Sequence, residues 1–266
     1  MLAEFMRRDL SGSRGRPAIL VGLWLLVATA QAQRLHVFAA ASLKESFGAI
    51  AKDFETLHPN VKVDITFAGS QQLAAQIGQG APCDVFASAD LRNLLKTSLV
   101  PGSQHVFAYN RLVMISSLQY GQIKSLETFA LAPRIVVAAS AVPVGAYTQR
   151  LIAAATPLLG KPWVATLTSH IVSQEQDVRA VLAKVELGEA DEGIVYSTDA
   201  ATAGKKICRQ PIPSNLQPNI VYPVGVERQA DEVGLAKQFV AFLLSPIGQK
   251  ELQRRGFAGP ITVSKQ

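Results

Sequence analysis

Between residues 35 and 67 the apolar pattern changes period twice, and this alternation restricts the fold more than any single motif. Residues 35–40 form a short apolar run that reads as a buried strand. Leu43, Phe47, Ile50, Phe54 and Leu57 then recur at intervals of four, three, four and three, which sets them on one face of a helix. His58-Pro59-Asn60 stops that helix. Val61, Val63, Ile65 and Phe67 next alternate with Lys62, Asp64 and Thr66, the signature of a strand with one buried face. A helix near 71–79, a strand at 84–88 and a helix at 90–96 extend the series. Further strands are expected at 111–115, 135–139, 193–196 and 221–226, with helices near 145–155, 176–187, 231–244 and 246–255. Ser245-Pro246 reads as an N-cap followed by a first-turn proline.

Strands alternating with helices predict an α/β fold whose sheets are mixed but mostly parallel, flanked by helices. No repeat, heptad pattern or low-complexity linker interrupts the series. A chain of this length without a flexible linker suits two lobes that the backbone crosses between more than once. The expected division is 33–110 plus 225–266 for one lobe and 111–224 for the other.

Residues 1–32 stand outside this pattern. Arg7, Arg8, Arg14 and Arg16 precede an apolar run from 18 to 30, and Ala30-Gln31-Ala32 supplies the small residues of a cleavage site. That is the order of a secretory signal peptide, and the run is short for a membrane span. Removing it takes four Arg and two acids from 26 basic and 20 acidic residues, leaving 22 and 18 and a formal charge of +4. So mild an excess suits an anionic small molecule and falls short of the clustered Lys and Arg of a nucleic-acid binder. Cys83 and Cys208, in mildly hydrophobic surroundings and in no C-x-x-C motif, are expected as buried free thiols.

Catalytic motifs are missing. His36, His58, His105 and His170 are scattered without metal-ligand spacing, and there is neither a G-x-S-x-G elbow nor a P-loop. No enzymatic activity and no cofactor are expected. Two serines stand out instead. Ser42 and Ser70 each fall near a helix N-cap, just past the carboxyl end of a strand, the edge at which open α/β sheets bind ligands. First-turn N–H groups and the helix dipole favour an anion there, a hydroxyl adds a donor, and Gly69 admits a close approach of backbone. The plainer alternative is that each serine only caps its helix. In the second half, Val144 begins a helix after the strand at 135–139, Asp177 reads as a cap that leaves the Val178 N–H free, and Tyr196 closes the strand at 193–196.

Taken together, several segments resemble the periplasmic molybdate-binding proteins of ABC importers. They are V-F-A-A-A-S-L (37–43), F-A-G-S-Q-Q-L-A-A-Q-I (67–77), G-A-P-C-D-V-F-A-S-A-D (80–90), V-P-V-G-A-Y (142–147), the run from Asp177 to Ala200, and S-P-I-G-Q-K-E-L (245–252). They occur in the family's order and span most of residues 35–257. The resemblance implies a two-lobed, type II periplasmic-binding-protein-like fold that closes over molybdate or tungstate. It implies Ser42 and Ser70 as hydroxyl and amide donors, Val144 and Val178 as backbone N–H donors, and Tyr196 as a hydroxyl donor. These same residues would hold the metal as its oxyanion, with Ala89 close by. It further implies a monomer in the periplasm with an ABC-transporter permease as partner. Val144 stands where the family more often has Ala, and Gln176 where Glu is usual. Molybdate and tungstate are bare dianions whose oxygens only accept hydrogen bonds, which suits a pocket of neutral donors. Sulfate is also a bare dianion and remains an alternative within the same fold. A binding protein for iron or another solute stands further off, and a secreted serine hydrolase further still.

Overall fold

The computed structural model describes residues 32–260. The expected signal peptide therefore lies almost wholly outside the described residues. Strand β1 (Gln33–Ala40) runs through a 3-10 turn at Ala41–Leu43 into α1 (Lys44–Leu57). The chain continues through β2 (Val61–Ala68), α2 (Ser70–Gly78), β3 (Val85–Ala87), α3 (Leu91–Leu94) and β4 (His105–Asn110). It then passes into β5 (Leu112–Ser117), α4 (Leu126–Phe129), β6 (Ile135–Ala138), α5 (Pro143–Ser169) and β7 (Ile171–Glu175). The remainder is α6 (Val178–Glu186), β8 (Glu192–Tyr196), α7 (Ser197–Ala203), β9 (Ile207–Pro211), β10 (Ile220–Val226), α8 (Val233–Leu244) and α9 (Pro246–Arg254).

These strands form two five-stranded sheets of matching order, β2-β1-β3-β10-β4 and β7-β6-β8-β5-β9. In each sheet the first three strands are parallel, and the fourth is antiparallel to both of its neighbours. Both sheets are mixed, with parallel and antiparallel pairings in equal number rather than a parallel majority. Strand β10 joins the first sheet from Ile220 onward, so the sequence-based boundary at 224/225 cuts through a strand.

The expected amphipathic face of α1 packs as its spacing requires. Leu43, Phe47, Ile50 and Phe54 are fully buried, and Phe47 and Phe54 stack edge-on against Phe239 of α8. Leu57 departs from that face and is exposed at the helix end, where the next turn of core is absent. Helix α5 is longer than its pattern suggests because a second helical segment resumes after Gly160, whose φ of 82° breaks the first. Strands β4, β7 and β9 add to the expected set, since their sequences lack a clear alternation. Cys83 and Cys208 are both free, but only Cys83 is buried. Among the described residues no helix is long and apolar enough to cross a membrane.

Candidate functional site

In β1 and β2, Ala40 pairs with Ala68 as parallel neighbours, so the two chains leave the sheet at the same level. Two serines are thereby set side by side: Ser42 in the 3-10 turn after β1, and Ser70 as the first residue of α2. Neither serine is an N-cap. Ala40 and Leu43 occupy the two cap positions near Ser42, and Gly69 caps α2, so both hydroxyls are left for other partners. The third parallel strand, β3, delivers Ala89 to the same edge. The second sheet repeats the plan, with β6 leading to Val144, β7 to Val178 and β8 ending at Tyr196.

Ser42, Ser70, Ala89, Val144, Val178 and Tyr196 all line one small cavity of about 10 Å³ between the two sheet edges. All six are buried. That space is far below the range usual for organic ligands and of the order of a single small particle.

The cavity lining is rich in donors. Gln72 N–H and Leu73 N–H bond to Gly69 O, leaving the Ser70 and Gln71 amides at the start of α2 without an intrahelical acceptor. Pro143 opens α5 and has no N–H, so Val144 carries that helix's first amide. Asp177 caps α6 by accepting from Arg179 N (2.7 Å) and Ala180 N (3.0 Å), which leaves the Val178 amide uncapped, as the sequence suggested. The Tyr196 hydroxyl is buried without a hydrogen-bond partner. Complete burial holds its pKa well above the usual phenol range, so it stays a neutral donor. Ser70 Oγ accepts from Ala89 N at 3.0 Å, and the Ser42 and Tyr222 hydroxyls lie 3.0 Å apart.

Charge is kept off the cavity wall. Among the described residues no Lys or Arg lines it, and its one acid, Asp177, is turned to the cap of α6. Charged contacts span the cleft beside it instead. Arg179 of α6 pairs with Glu45 of α1, and its Nε lies 2.6 Å from Oδ1 of buried Asp199. Arg92 Nη2 donates to Ala141 O (2.8 Å), and Gln71 Nε2 donates to Gln176 O (2.7 Å). These cross-cleft contacts, together with Tyr222, were not visible in the sequence. Tyr222 sits in an apolar strand and gives no local sign that its hydroxyl reaches Ser42.

The profile of the bacterial extracellular solute-binding proteins matches residues 35–258. The chain belongs to that family. This solute-binding protein is 37% identical over 239 residues to the molybdate-binding protein ModA of Mycobacterium tuberculosis, a match covering 87% of each chain. Its fold is shared with the periplasmic molybdate-binding protein of Azotobacter vinelandii (TM-score 0.74, 23% identity, 85% of this chain and 99% of the other). It is shared as well with the sulfate-binding protein SubI of M. tuberculosis (TM-score 0.76, 15% identity, 86% and 88%). Since proteins named for two different anions share this fold, the fold alone does not choose the solute.

Proposed function

We propose that this solute-binding protein captures molybdate or tungstate in the cavity between its two sheets and delivers it to the permease of an ABC importer. The observation that carries this reading is a small cavity lined by neutral donors; among the described residues no cation lies on its wall and its one carboxylate is committed elsewhere. Hydroxyls and helix N-termini stabilise a dianion without a counter-charge. Ser42, Ser70 and Tyr196 would donate through hydroxyls, and Val144 and Val178 through backbone N–H. The 37% relative named for molybdate favours this oxyanion over sulfate.

The two lobes of this reading are 33–110 plus 220–260 and 111–219, which keeps the whole of β10 in the first. The basic, apolar and small-residue order of 1–32 supports export through a cleaved signal peptide to the periplasm. The protein would act as a monomer, without catalysis or a cofactor.

Thermal unfolding in the presence of molybdate, tungstate, sulfate and phosphate tests the reading. A ligand that binds only the folded state raises the melting temperature, by about 2.7 kcal/mol of added stability at a hundredfold excess over its dissociation constant. Molybdate and tungstate should both raise it, and phosphate should not. A clear shift with sulfate and none with molybdate would sink the proposal.

A further inference from the structure

Ser42 can give or take a hydrogen bond, and which of these it offers the cavity depends on Tyr222 behind it. The direction is set by a fixed amide. Asn110 Oδ1 accepts from Arg111 N at 2.8 Å, a donor that cannot reverse, so the opposite end of that side chain must be the amino group. Ser197 Oγ donates to the same oxygen at 3.0 Å. The Asn110 amino group then donates to Thr198 Oγ1 (2.9 Å) and, over a longer 3.4 Å, to the Tyr222 hydroxyl. With its oxygen accepting from Asn110, the Tyr222 hydroxyl has its own hydrogen free for Ser42 Oγ, 3.0 Å away. In that arrangement one Ser42 lone pair is taken, and its own hydrogen is left for the cavity that Ser42 lines. Ser70 is set the same way by the Ala89 N–H.

We propose that Tyr222 is a positioning residue that orients the Ser42 hydroxyl as a donor and so makes the cavity favour bare oxyanions over those that carry a proton. The inference rests on the oxyanion reading above and adds a reason for selectivity that cavity size does not supply. A protonated oxyanion has a hydroxyl that needs an acceptor, and a buried hydroxyl without one is strongly disfavoured. Full burial holds the Tyr222 phenol well above its usual pKa, so it keeps the hydrogen it donates. Its ring packs against Tyr196, Phe107 and Phe257, contacts that phenylalanine would retain.

The experiment compares wild type, Tyr222→Phe, Ser42→Ala and the double variant. Molybdate is titrated directly. Selenate and arsenate, similar in size but bare and singly protonated respectively near neutral pH, compete against it. Wild type should prefer selenate to arsenate by at least about tenfold, the scale of one unmet buried hydrogen bond. Tyr222→Phe should weaken molybdate and selenate by about tenfold while arsenate holds or tightens, and should have no such effect once Ser42 is alanine. Equal weakening of all three anions, no change in any, or the same effect in the Ser42→Ala background overturns the proposal. If Tyr222→Phe does not fold, the wild-type comparison decides, and the absence of a selenate preference overturns it. A wild-type protein that fails to bind molybdate at all refutes the proposed function instead.

Discussion

The two sheets present the same three parallel strand ends to the cavity, but they arm those ends differently. The first sheet offers side chains, the Ser42 and Ser70 hydroxyls, which contact Tyr222 and the Ala89 N–H behind them. The second offers mainly backbone, with the Val144 and Val178 amides left free by a proline and by an aspartate cap, and Tyr196 as the one hydroxyl among its described lining residues. One donor chemistry is thus reached by two routes, and the routes differ in which mutations they tolerate. A hydroxyl is lost with its side chain, whereas an amide is lost only if the backbone moves.

The largest effect should come from moving that backbone. A Cβ on Gly145 would sit 2.1 Å from Ala139 O and 2.5 Å from Ala138 O, neither of which can yield without shifting the end of β6. Gly145→Ala should therefore destabilise the protein by about 3 kcal/mol and displace the Val144 amide, seen as a lower melting temperature and weaker molybdate binding. A variant with wild-type melting and affinity would show that the second half tolerates backbone movement, breaking the contrast.

The next effect separates the halves directly. Ser70→Ala should weaken molybdate binding by ~10- to 100-fold, the range for a hydrogen bond to a charged acceptor, without unfolding the protein. Val144→Ala removes no donor and should stay within about threefold of wild type by the same titration. Equal losses from the two would mean that side-chain packing, not donor chemistry, governs both walls.

The smallest effect concerns buried acids away from the cavity, one in each half. Burial raises Glu227 to about 7, with Thr97 Oγ1 donating to it at 2.7 Å, and raises Glu192 to about 8 with nothing bonded to its Oε2. A carboxyl whose folded pKa is raised binds its proton more tightly when folded. Its stabilising contribution is complete below the unfolded value and is lost as pH climbs towards the folded one. Stability should thus fall between about pH 4.5 and 8. Glu192→Gln should flatten that fall by ~1–2 kcal/mol in denaturant titrations at several pH values, and an unchanged slope would show that Glu192 ionises freely.

Much of the candidate site was legible in the sequence, because the residues that line its cavity sit at boundaries that the sequence marks. A strand pattern running into a helix pattern fixes where a strand ends, and Ser42, Ser70, Val144, Val178 and Tyr196 all lie within a few residues of such an end. Pro143 and Asp177 mark helix starts by local chemistry alone. The ordered segments likewise pointed to solute-binding proteins, the family whose profile matches residues 35–258.

Local pattern could not say how those ends meet. The register that levels Ala40 with Ala68, the matching order of the two sheets and the return of β10 to the first sheet depend on pairings between residues far apart in the chain. The same holds for Tyr222 behind Ser42, which is 180 residues away, and for Arg179 across the cleft from Glu45. A tyrosine in a buried strand looks like core until the opposite strand end is in place. The sequence by itself determined which groups are available to donate, since donor chemistry belongs to a residue and its nearest neighbours. Only the tertiary structure decided which way each donor points and what holds it there, since direction is set by contacts that exist only once the chain has folded.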